Sequence, residues 1–356
     1  MVVRSSTLAS LSVDLEICKQ MFTYGAIRPL LLSSDSSATN EACMLAGLGC
    51  ITQLCRIPEI GLRMVQQGAV PLLEKGMTLY EGYGNKAIRE KALYALGFLS
   101  RIHDVKKSLM TSRISEAIRR EFAEGTLSSR EVIIRLLMNV HRCYSPHDER
   151  SLLDALKDPL LELMKTGPWS AKNLCLKAIC VLYDTDEDRA YLTERGLLDM
   201  ILDLMASKSD DLQEVPVVAL LYLCVHPTLP SLLLDRGVAK VAGQLLLCQD
   251  HIIRELCVVL LKALNLFNSE VVEAAVPEEK RYVLRRNIYN PQLYGGEYGG
   301  LVQDFLQTIV GNRHQQSYLR DILTEQDMVD LQLTEEEVQR YENTVRCAGV
   351  HCFVLI

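Results

Sequence analysis

Three residues near the C-terminus have the chemistry of metal ligands. Cys347 and His351 lie four residues apart, and Cys352 follows His351 directly. Thiolate and imidazole are ligands that zinc prefers, but a structural zinc site needs four ligands and the sequence offers no second pair nearby. We therefore predict no metal site.

Cys224 and His226 are the residues whose types could support nucleophilic catalysis. They flank Val225 at the end of a predicted helix, but residues two apart on a helix point to different faces. The sequence also lacks a glycine-rich phosphate loop, HExxH, Gly-x-Ser-x-Gly and a CxxC pair. We predict a protein that is not an enzyme and has neither catalytic residues nor a cofactor.

Composition and charge restrict the class of protein further. Of the 356 residues, 49% are hydrophobic, which is typical of a globular chain, and the formal charge of −7 disfavours nucleic acid as a partner. The longest apolar run, Val215 to Val225, contains Pro216 and is far shorter than the ~20 residues of a transmembrane helix. With no signal peptide evident, we expect a cytoplasmic protein with reduced cysteines.

A repeat in the sequence predicts the helices that would position any functional residue. A glycine followed by a small or aliphatic residue recurs four times, each time four residues after an apolar residue, at Gly25, Gly68, Gly196 and Gly237. Weaker copies at Ser112 and Leu156 fill the gap, so that the six marks lie 43, 44, 44, 40 and 41 residues apart. A period in the low forties is typical of armadillo or HEAT repeats.

Each unit is predicted to contain a short helix, a bend, a second helix and a longer third helix. Pro29, Pro71 and Pro159 are predicted to open second helices, where the missing amide hydrogen costs nothing. The third helices are predicted at 40–56, 86–102, 129–144, 170–183, 211–225 and 250–266. Their apolar faces need neighbouring units for burial, so the units are expected to stack.

Four segments carry a family resemblance: GAIRPLLL, GAVPLLEKGM, RGLLDMILDLM and RGVAKVAGQLL. Over residues of about 12 to 266 they resemble the armadillo repeat. HEAT repeats are the alternative, but they usually lack the glycine bend and have two helices per unit. The resemblance implies an all-α, right-handed α-solenoid of about six armadillo-like repeats over residues 1–266, with a C-terminal helical cap over residues 267–356.

The resemblance also implies that the third helices line a groove. In armadillo proteins that hold extended peptides, each third helix carries an Asn that binds the peptide backbone and, one turn earlier, a Trp. The Asn positions align here with Gln53, Phe98, Asn139, Val181, Tyr222 and Ala263, and the Trp positions with Gly49, Tyr94, Arg135, Lys177, Val218 and Val259. Since one Asn and no Trp remain, the resemblance to import receptors or catenins stops at the fold.

The groove positions nevertheless offer aromatic and arginine side chains, which are common interface anchors. The candidate partner-binding residues are Gln53, Tyr94, Phe98, Arg101, Arg135, Asn139, Arg142 and Tyr222. Two interpretations remain open, since Phe98 and Tyr222 could instead be core residues, with the arginines solvating the rim. The later part of the groove is expected to be shallow, filled by the chain itself or used by an apolar partner.

The last ninety residues depart from the repeat. They contain a Tyr/Gly-rich loop around residues 289–300, helices predicted at 301–310 and 314–323, and a window, 321–342, with eight acidic residues and one basic residue. The loop either belongs to the cap or contacts a partner. The acidic window either attracts a basic partner or is a solvated face.

Together these features predict a scaffold or adaptor that binds one or more proteins along its groove, for instance in a cytoskeletal or ciliary assembly. The resemblance supplies an alternative, because some armadillo proteins bind a soluble client as exchange factors for small GTPases or as chaperones.

Overall fold

The computed structural model describes residues 15–36, 41–78, 86–143, 146–205, 214–265 and 267–281. Within these ranges the regular structure is helical. The helices are α1 (Leu15–Thr23), α2 (Ile27–Ser36), α3 (Glu41–Leu54), α4 (Pro58–Gln66), α5 (Ala69–Thr78), α6 (Lys86–Leu99), α7 (Lys106–Leu109), α8 (Ser112–Glu124), α9 (Leu127–Val140), α10 (Pro146–Thr166), α11 (Trp169–Leu182), α12 (Asp186–Glu194), α13 (Leu197–Met205), α14 (Glu214–Cys224), α15 (Leu229–Asp235), α16 (Val238–Leu245), α17 (His251–Asn265) and α18 (Ser269–Ala275).

The six predicted third helices are present as α3, α6, α9, α11, α14 and α17. Their bounds differ from the predicted ones by a few residues: α6 begins at Lys86 as expected but ends at Leu99 instead of Ile102. The fold class predicted from the sequence, an all-α repeat architecture, is confirmed.

The four glycine bends are confirmed, and their geometry explains why glycine is needed. Gly25, Gly68, Gly196 and Gly237 have φ of 71°, 92°, 93° and 75°. Each donates its amide hydrogen to the carbonyl three residues earlier at 3.0 Å, which ends the preceding helix. A Cβ at any of the four would meet no atom within 4 Å, so the requirement is for the left-handed backbone and not for space.

The weaker mark at Ser112 is a helix start without a left-handed bend. Thr111, with φ of −102°, is the N-cap of α8, and its hydroxyl accepts a hydrogen bond from the amide of Ile114 at 3.2 Å. A side-chain cap thus starts the second helix of this repeat, which follows a glycine bend in the four repeats that have one.

The weaker mark at Leu156 was wrong. Residues 146–166 form one continuous helix, α10, so the first and second helices of the fourth unit are fused, and Pro159 lies inside α10 instead of opening a helix. The sequence permits this fusion because Leu152, Leu156, Leu160 and Leu163 keep helical spacing through the expected bend, and all four are buried.

The described helices fall into two compact units that divide after Leu182. In the first unit α3, α6, α9 and α11 pack side by side in chain order. In the second unit α14 packs on α17, and α18 packs on α16 and α17. The boundary at 266/267 that the sequence suggested is not decided by these contacts and stays a prediction.

Packing between α6 and α9 is close. A Cβ on Gly97 of α6 would lie 2.9 Å from Val132 Cγ1 on α9, so a glycine is needed for this approach. At the other end of the pair, the N-cap hydroxyl of Thr126 donates to Glu90 Oε1 at 3.0 Å. These contacts fix the relative position of the two helices that carry most of the candidate site.

Several predicted features lie outside the described residues: the Tyr/Gly loop, the helices predicted at 301–310 and 314–323, the acidic window, and Cys347, His351 and Cys352. Among the helices that are described, none has the length and apolar character that crossing a bilayer requires.

Candidate functional site

The candidate residues in the compact unit that ends at Leu182 lie on or directly after α3, α6 and α9, and they are exposed or half-buried. We call this set of residues the rung surface, and it consists of Gln53, Tyr94, Phe98, Arg101, Arg135, Asn139 and Arg142. These helices pack in chain order, so the residues follow one another across the surface in the same order. Gln53 is on α3, Tyr94 and Phe98 are on α6, and Arg135 and Asn139 are on α9.

The aromatic part of the rung surface lies on α6. Tyr94 and Phe98 are half-buried, one helical turn apart. The Tyr94 hydroxyl forms a hydrogen bond with Ser128 Oγ at the start of α9. The Arg101 guanidinium carbon lies 5.6 Å from the Phe98 ring centroid, within the range of a cation–π contact. Both rings therefore keep an exposed part beside a polar group, as interface aromatics do.

The one Asn at the Asn positions already forms a side-chain hydrogen bond. Asn139 Nδ2 donates to Ser100 Oγ at 2.9 Å, and Ser100 Oγ donates to the carbonyl of Gly97 at 2.7 Å. One amide hydrogen of Asn139 thus links the ends of α9 and α6, which leaves its second amide hydrogen and its carbonyl oxygen for any ligand. The absence of the family's peptide-backbone code stays a prediction.

Exposed cations complete the rung surface on α9. Arg135 is exposed and forms no ion pair with any described residue. Arg142 has φ of 60°, an uncommon value for a residue other than glycine. Its backbone amide donates to Glu149 Oε1 at 2.9 Å, and His141 Nδ1 lies 2.8 Å from the same oxygen. The buried Glu149 carboxylate therefore holds the turn that presents Arg142.

Tyr222, the candidate in the compact unit that begins at Tyr183, is a core residue. It is 0% exposed, its hydroxyl donates to the Tyr183 carbonyl at 2.6 Å, and the Arg189 guanidinium carbon lies 4.9 Å from its ring centroid. The core interpretation that the sequence left open holds for Tyr222, whereas Phe98 is only half-buried. Tyr222 is thus not available to a partner in this conformation.

The residues of α14 after Glu214 share the burial of Tyr222. Every residue from Val215 to Val225 is buried, and on α17 the groove positions Val259 and Ala263 are 0% and 2% exposed. The sequence left three alternatives for this part of the groove, and the burial of α14 fits the one in which the chain itself fills it.

Sequence reasoning missed one exposed cation beside the rung surface, Arg56. Its Nη1 donates to Gln53 Oε1 at 3.1 Å, so it lies next to the first rung residue. The available signal was its spacing: Arg56, Arg101 and Arg142 each follow a groove position by three residues.

Four of the described cysteines have thiols with raised pKa values. All ten are free, and burial raises the pKa of the Cys55, Cys224 and Cys257 thiols, while burial and then the Glu131 charge raise that of Cys175 to about 12. A thiol with a raised pKa stays protonated and is a poor nucleophile.

The Cys224 and His226 pair considered in the sequence does not form. His226 Nδ1 accepts a hydrogen bond from the backbone amide of Thr228 at 3.2 Å and lies 3.1 Å from its hydroxyl. Among the described residues no cluster of three metal-ligating side chains occurs.

Comparison with known proteins supports the fold. No protein-family model matches the sequence, and no curated protein matches it either. Solved structures do match. An engineered protein from a structural genomics consortium has a TM-score of 0.60 at 13% identity, covering 90% of this chain and 92% of its own. Computationally designed armadillo repeat proteins for modular peptide recognition match with a TM-score of 0.56 at 12% identity, covering 70% of this chain and 100% of theirs.

A third similar structure was solved with a ligand. A designed armadillo repeat protein in complex with the peptide (KR)4 matches with a TM-score of 0.50 at 16% identity, covering 62% of this chain and 91% of its own. These similarities, together with the left-handed glycine bends, show that this chain has the armadillo-repeat fold.

Proposed function

We propose that this chain is a non-enzymatic protein-interaction scaffold and that a partner protein binds to the rung surface. The observation that carries the proposal is the arrangement on α6 and α9. Tyr94 and Phe98 are half-buried on α6, and the exposed Arg101 lies over the Phe98 ring. The exposed Arg135 is on α9, which packs against α6. Such anchors lose much of their solvation when covered and give most of the binding free energy in many interfaces.

The fold supports this class of function. A repeat array exposes a long surface, whereas an enzyme needs titratable groups that converge in a pocket. Two of the similar structures are, by their own descriptions, designed for peptide recognition or solved with a bound peptide. For this chain peptide or protein binding is an inference from that likeness.

The partner is either a fixed component of a larger assembly or a soluble client. As a constitutive adaptor, for instance in a cytoskeletal or ciliary assembly, the chain would remain with the insoluble fraction of the cell. As a regulator of the exchange-factor or chaperone type, it would be recovered in the soluble fraction, in a complex with its client. We place either activity in the cytoplasm, because the described cysteines are free thiols, as a reducing compartment keeps them.

We propose further that residues 267–356 cap the repeat array. Support comes from α18, which lies at the start of this region and packs on both α16 and α17. An array of repeats exposes the apolar face of its last unit unless a terminal element covers it.

The test replaces one aromatic and one cation of the rung surface. Phe98→Ala with Arg135→Ala should weaken capture of the native partner at least ten-fold, because truncating two interface anchors removes about 1–2 kcal/mol each. The measurement is quantitative affinity capture from the native cell, with soluble and insoluble fractions analysed separately.

A matched control makes the same types of change away from the third helices. Tyr24 is 86% exposed after α1 and Arg63 is exposed on α4, so Tyr24→Ala with Arg63→Ala should leave capture unchanged. Circular dichroism of both double variants separates a binding defect from unfolding. Full capture by a folded Phe98→Ala, Arg135→Ala variant would rule out the rung surface as the binding site.

A further inference from the structure

The first repeat is less completely buried than the later repeats that have a glycine bend. Three of its apolar residues, Ile17, Met21 and Ala26, are half-buried, and we call them the end face. Counted from the bend, the equivalent positions are buried in the second, fifth and sixth repeats, where they hold Ile60, Met64 and Ala69, then Asp188, Leu192 and Leu197, and then Leu229, Leu233 and Val238. In the later repeats these positions are therefore covered by something that the described part of the first repeat does not supply.

The second repeat shows what covers one of these positions. Met64 is 0% exposed, and its Sδ lies 3.9 Å from the Sγ of Cys55. Cys55 directly follows α3, the third helix of the preceding repeat, and its amide donates to the Ile51 carbonyl at 2.9 Å as in a helix. The end of a third helix therefore packs against the first helix of the next repeat.

The residues before α1 have the register of such a helix end. In the repeats before three of the bends, buried apolar residues lie 17 and 14 positions before the bend glycine, as Ile51 and Leu54, Ile179 and Leu182, and Leu220 and Leu223. Counted back from Gly25, the same two positions are Leu8 and Leu11. The position of Cys55 is held by Ser12.

The connection to the next helix also has the same length. Three residues separate Leu54, the last residue of α3, from Pro58, the first residue of α4. Three residues likewise separate Leu11 from Leu15, where α1 begins. A helix that ends at Leu11 would therefore meet α1 as α3 meets α4.

The match covers only the last turns of a third helix. Twenty positions before the bend, the first repeat has Ser5, where the other three have the buried residues Leu48, Leu176 and Val217. A helix of so few residues is not stable in water by itself and needs a surface on which to pack. The end face is a surface of that kind, because its equivalents are covered by the end of a third helix.

We infer that residues 8–12 form the last turns of a third helix and pack on the end face, and we call this segment the N-terminal cap. Ser12 then contacts Met21 as Cys55 contacts Met64, and its amide donates to the Leu8 carbonyl. Terminal units of a repeat array need a cover for their apolar face, and burial of the two leucines stabilises this one. The inference extends the repeat array to residue 8 and does not depend on the proposed function.

The experiment measures how fast a thiol at position 21 reacts with a maleimide in the full-length chain. Met21→Cys should react at least about ten-fold more slowly than Tyr24→Cys, because the N-terminal cap protects the first site and the second is 86% exposed. Peptide mass spectrometry assigns the label, since the chain has twelve cysteines of its own. Circular dichroism checks that each variant is folded.

A substitution in the N-terminal cap tests the packing directly. Leu11→Ser removes a buried apolar side chain from the cap, so it should raise the reaction rate of Met21→Cys about ten-fold. Val13→Ser is the matched control, because Val13 has the position of Arg56 and Asp184 in the second and fifth repeats, and both are exposed. The control should leave the rate unchanged.

Hydrogen exchange of the unsubstituted chain gives a second measurement that needs no change at Met21. The amide of Ser12 should exchange at least about a hundred-fold more slowly than in an unfolded peptide, because it is bonded within the N-terminal cap. Leu11→Ser should remove this protection, and Val13→Ser should keep it.

Three results would each overturn the inference: equal rates for Met21→Cys and Tyr24→Cys, no effect of Leu11→Ser, or an unprotected Ser12 amide. A rate for Met21→Cys that falls as the chain concentration rises, and that Leu11→Ser does not change, would identify a second copy of this chain as the occupant of the end face. All of these measurements use the purified chain without a partner. Their outcome is therefore independent of the capture experiments on the rung surface.

Discussion

At the scale of single residues, Gly68 is a position where the free-energy cost of a left-handed backbone can be measured without a steric clash. Its φ is 92°, and a Cβ there would meet no atom within 4 Å. Replacement by Ala therefore adds no clash with another residue but places an L-residue in the left-handed region, which costs about 1–2 kcal/mol. We expect Gly68→Ala to lower the free energy of unfolding by about that amount, measured by urea denaturation.

Asn is the matched control at this position, because its short polar side chain tolerates the left-handed region better than Ala. Gly68→Asn should lose less stability than Gly68→Ala. If the two variants lost equal stability, the cost would not come from the backbone conformation, and the explanation of the bend would fail.

The same scale shows what sequence can predict about a site. The left-handed glycines were predictable because the conformation depends on one residue type at one position. Phe98 and Tyr222 occupy equivalent groove positions, yet Phe98 is half-buried and Tyr222 is fully buried. Burial depends on what covers a residue in three dimensions, so the repeat pattern could align these two residues but could not distinguish them.

At the scale of helices, α10 carries an internal proline. Pro159 has no amide hydrogen, so the carbonyl of Ala155 lacks its usual helical partner at this position. We expect Pro159→Ala to restore that hydrogen bond and to raise the free energy of unfolding by about 1–3 kcal/mol. Thermal and urea denaturation of the full-length chain would measure the gain.

Pro146 provides the control for this prediction, because it is the first residue of the same helix. An amide hydrogen at that position has no intrahelical partner, so Pro146→Ala should not stabilise the chain. A gain at Pro146 equal to that at Pro159 would indicate a general effect of removing proline instead of repair of α10.

The fused helix also explains why Leu156 misled the prediction. The units with a glycine bend carry a residue that stops a helix, whereas Leu156 and its neighbours continue the helical spacing of buried leucines. The period predicted the right length for this repeat. A break between its first two helices needs a residue that stops a helix, and Pro159 does not stop α10. The third helices were predictable because each has a long apolar pattern between loops.

At the scale of the whole molecule, charge is segregated along the sequence. The window 321–342 has a net charge of −7, equal to that of the entire chain, while the rung surface exposes Arg101, Arg135 and Arg142. An acidic peptide that approaches the chain meets repulsion from the total charge before it reaches any local attraction by exposed arginines. The Debye length of about 30 Å at 0.01 M salt transmits that repulsion, whereas about 8 Å at 0.15 M does not.

This difference of range gives a kinetic prediction. Changing all eight acids of the 321–342 window to amides moves the formal charge of the chain from −7 to +1. The association rate of a peptide of four Glu-Ser-Ser triplets, measured by stopped-flow fluorescence, should then rise about three-fold or more at ~0.01 M salt, because long-range steering acts on association. At ~0.5 M salt the variant and the parent chain should associate with the peptide at the same rate, since screening removes the contribution of total charge. Equal rates at low salt would mean that the acidic window adds nothing to the electrostatic field that an approaching acidic peptide meets.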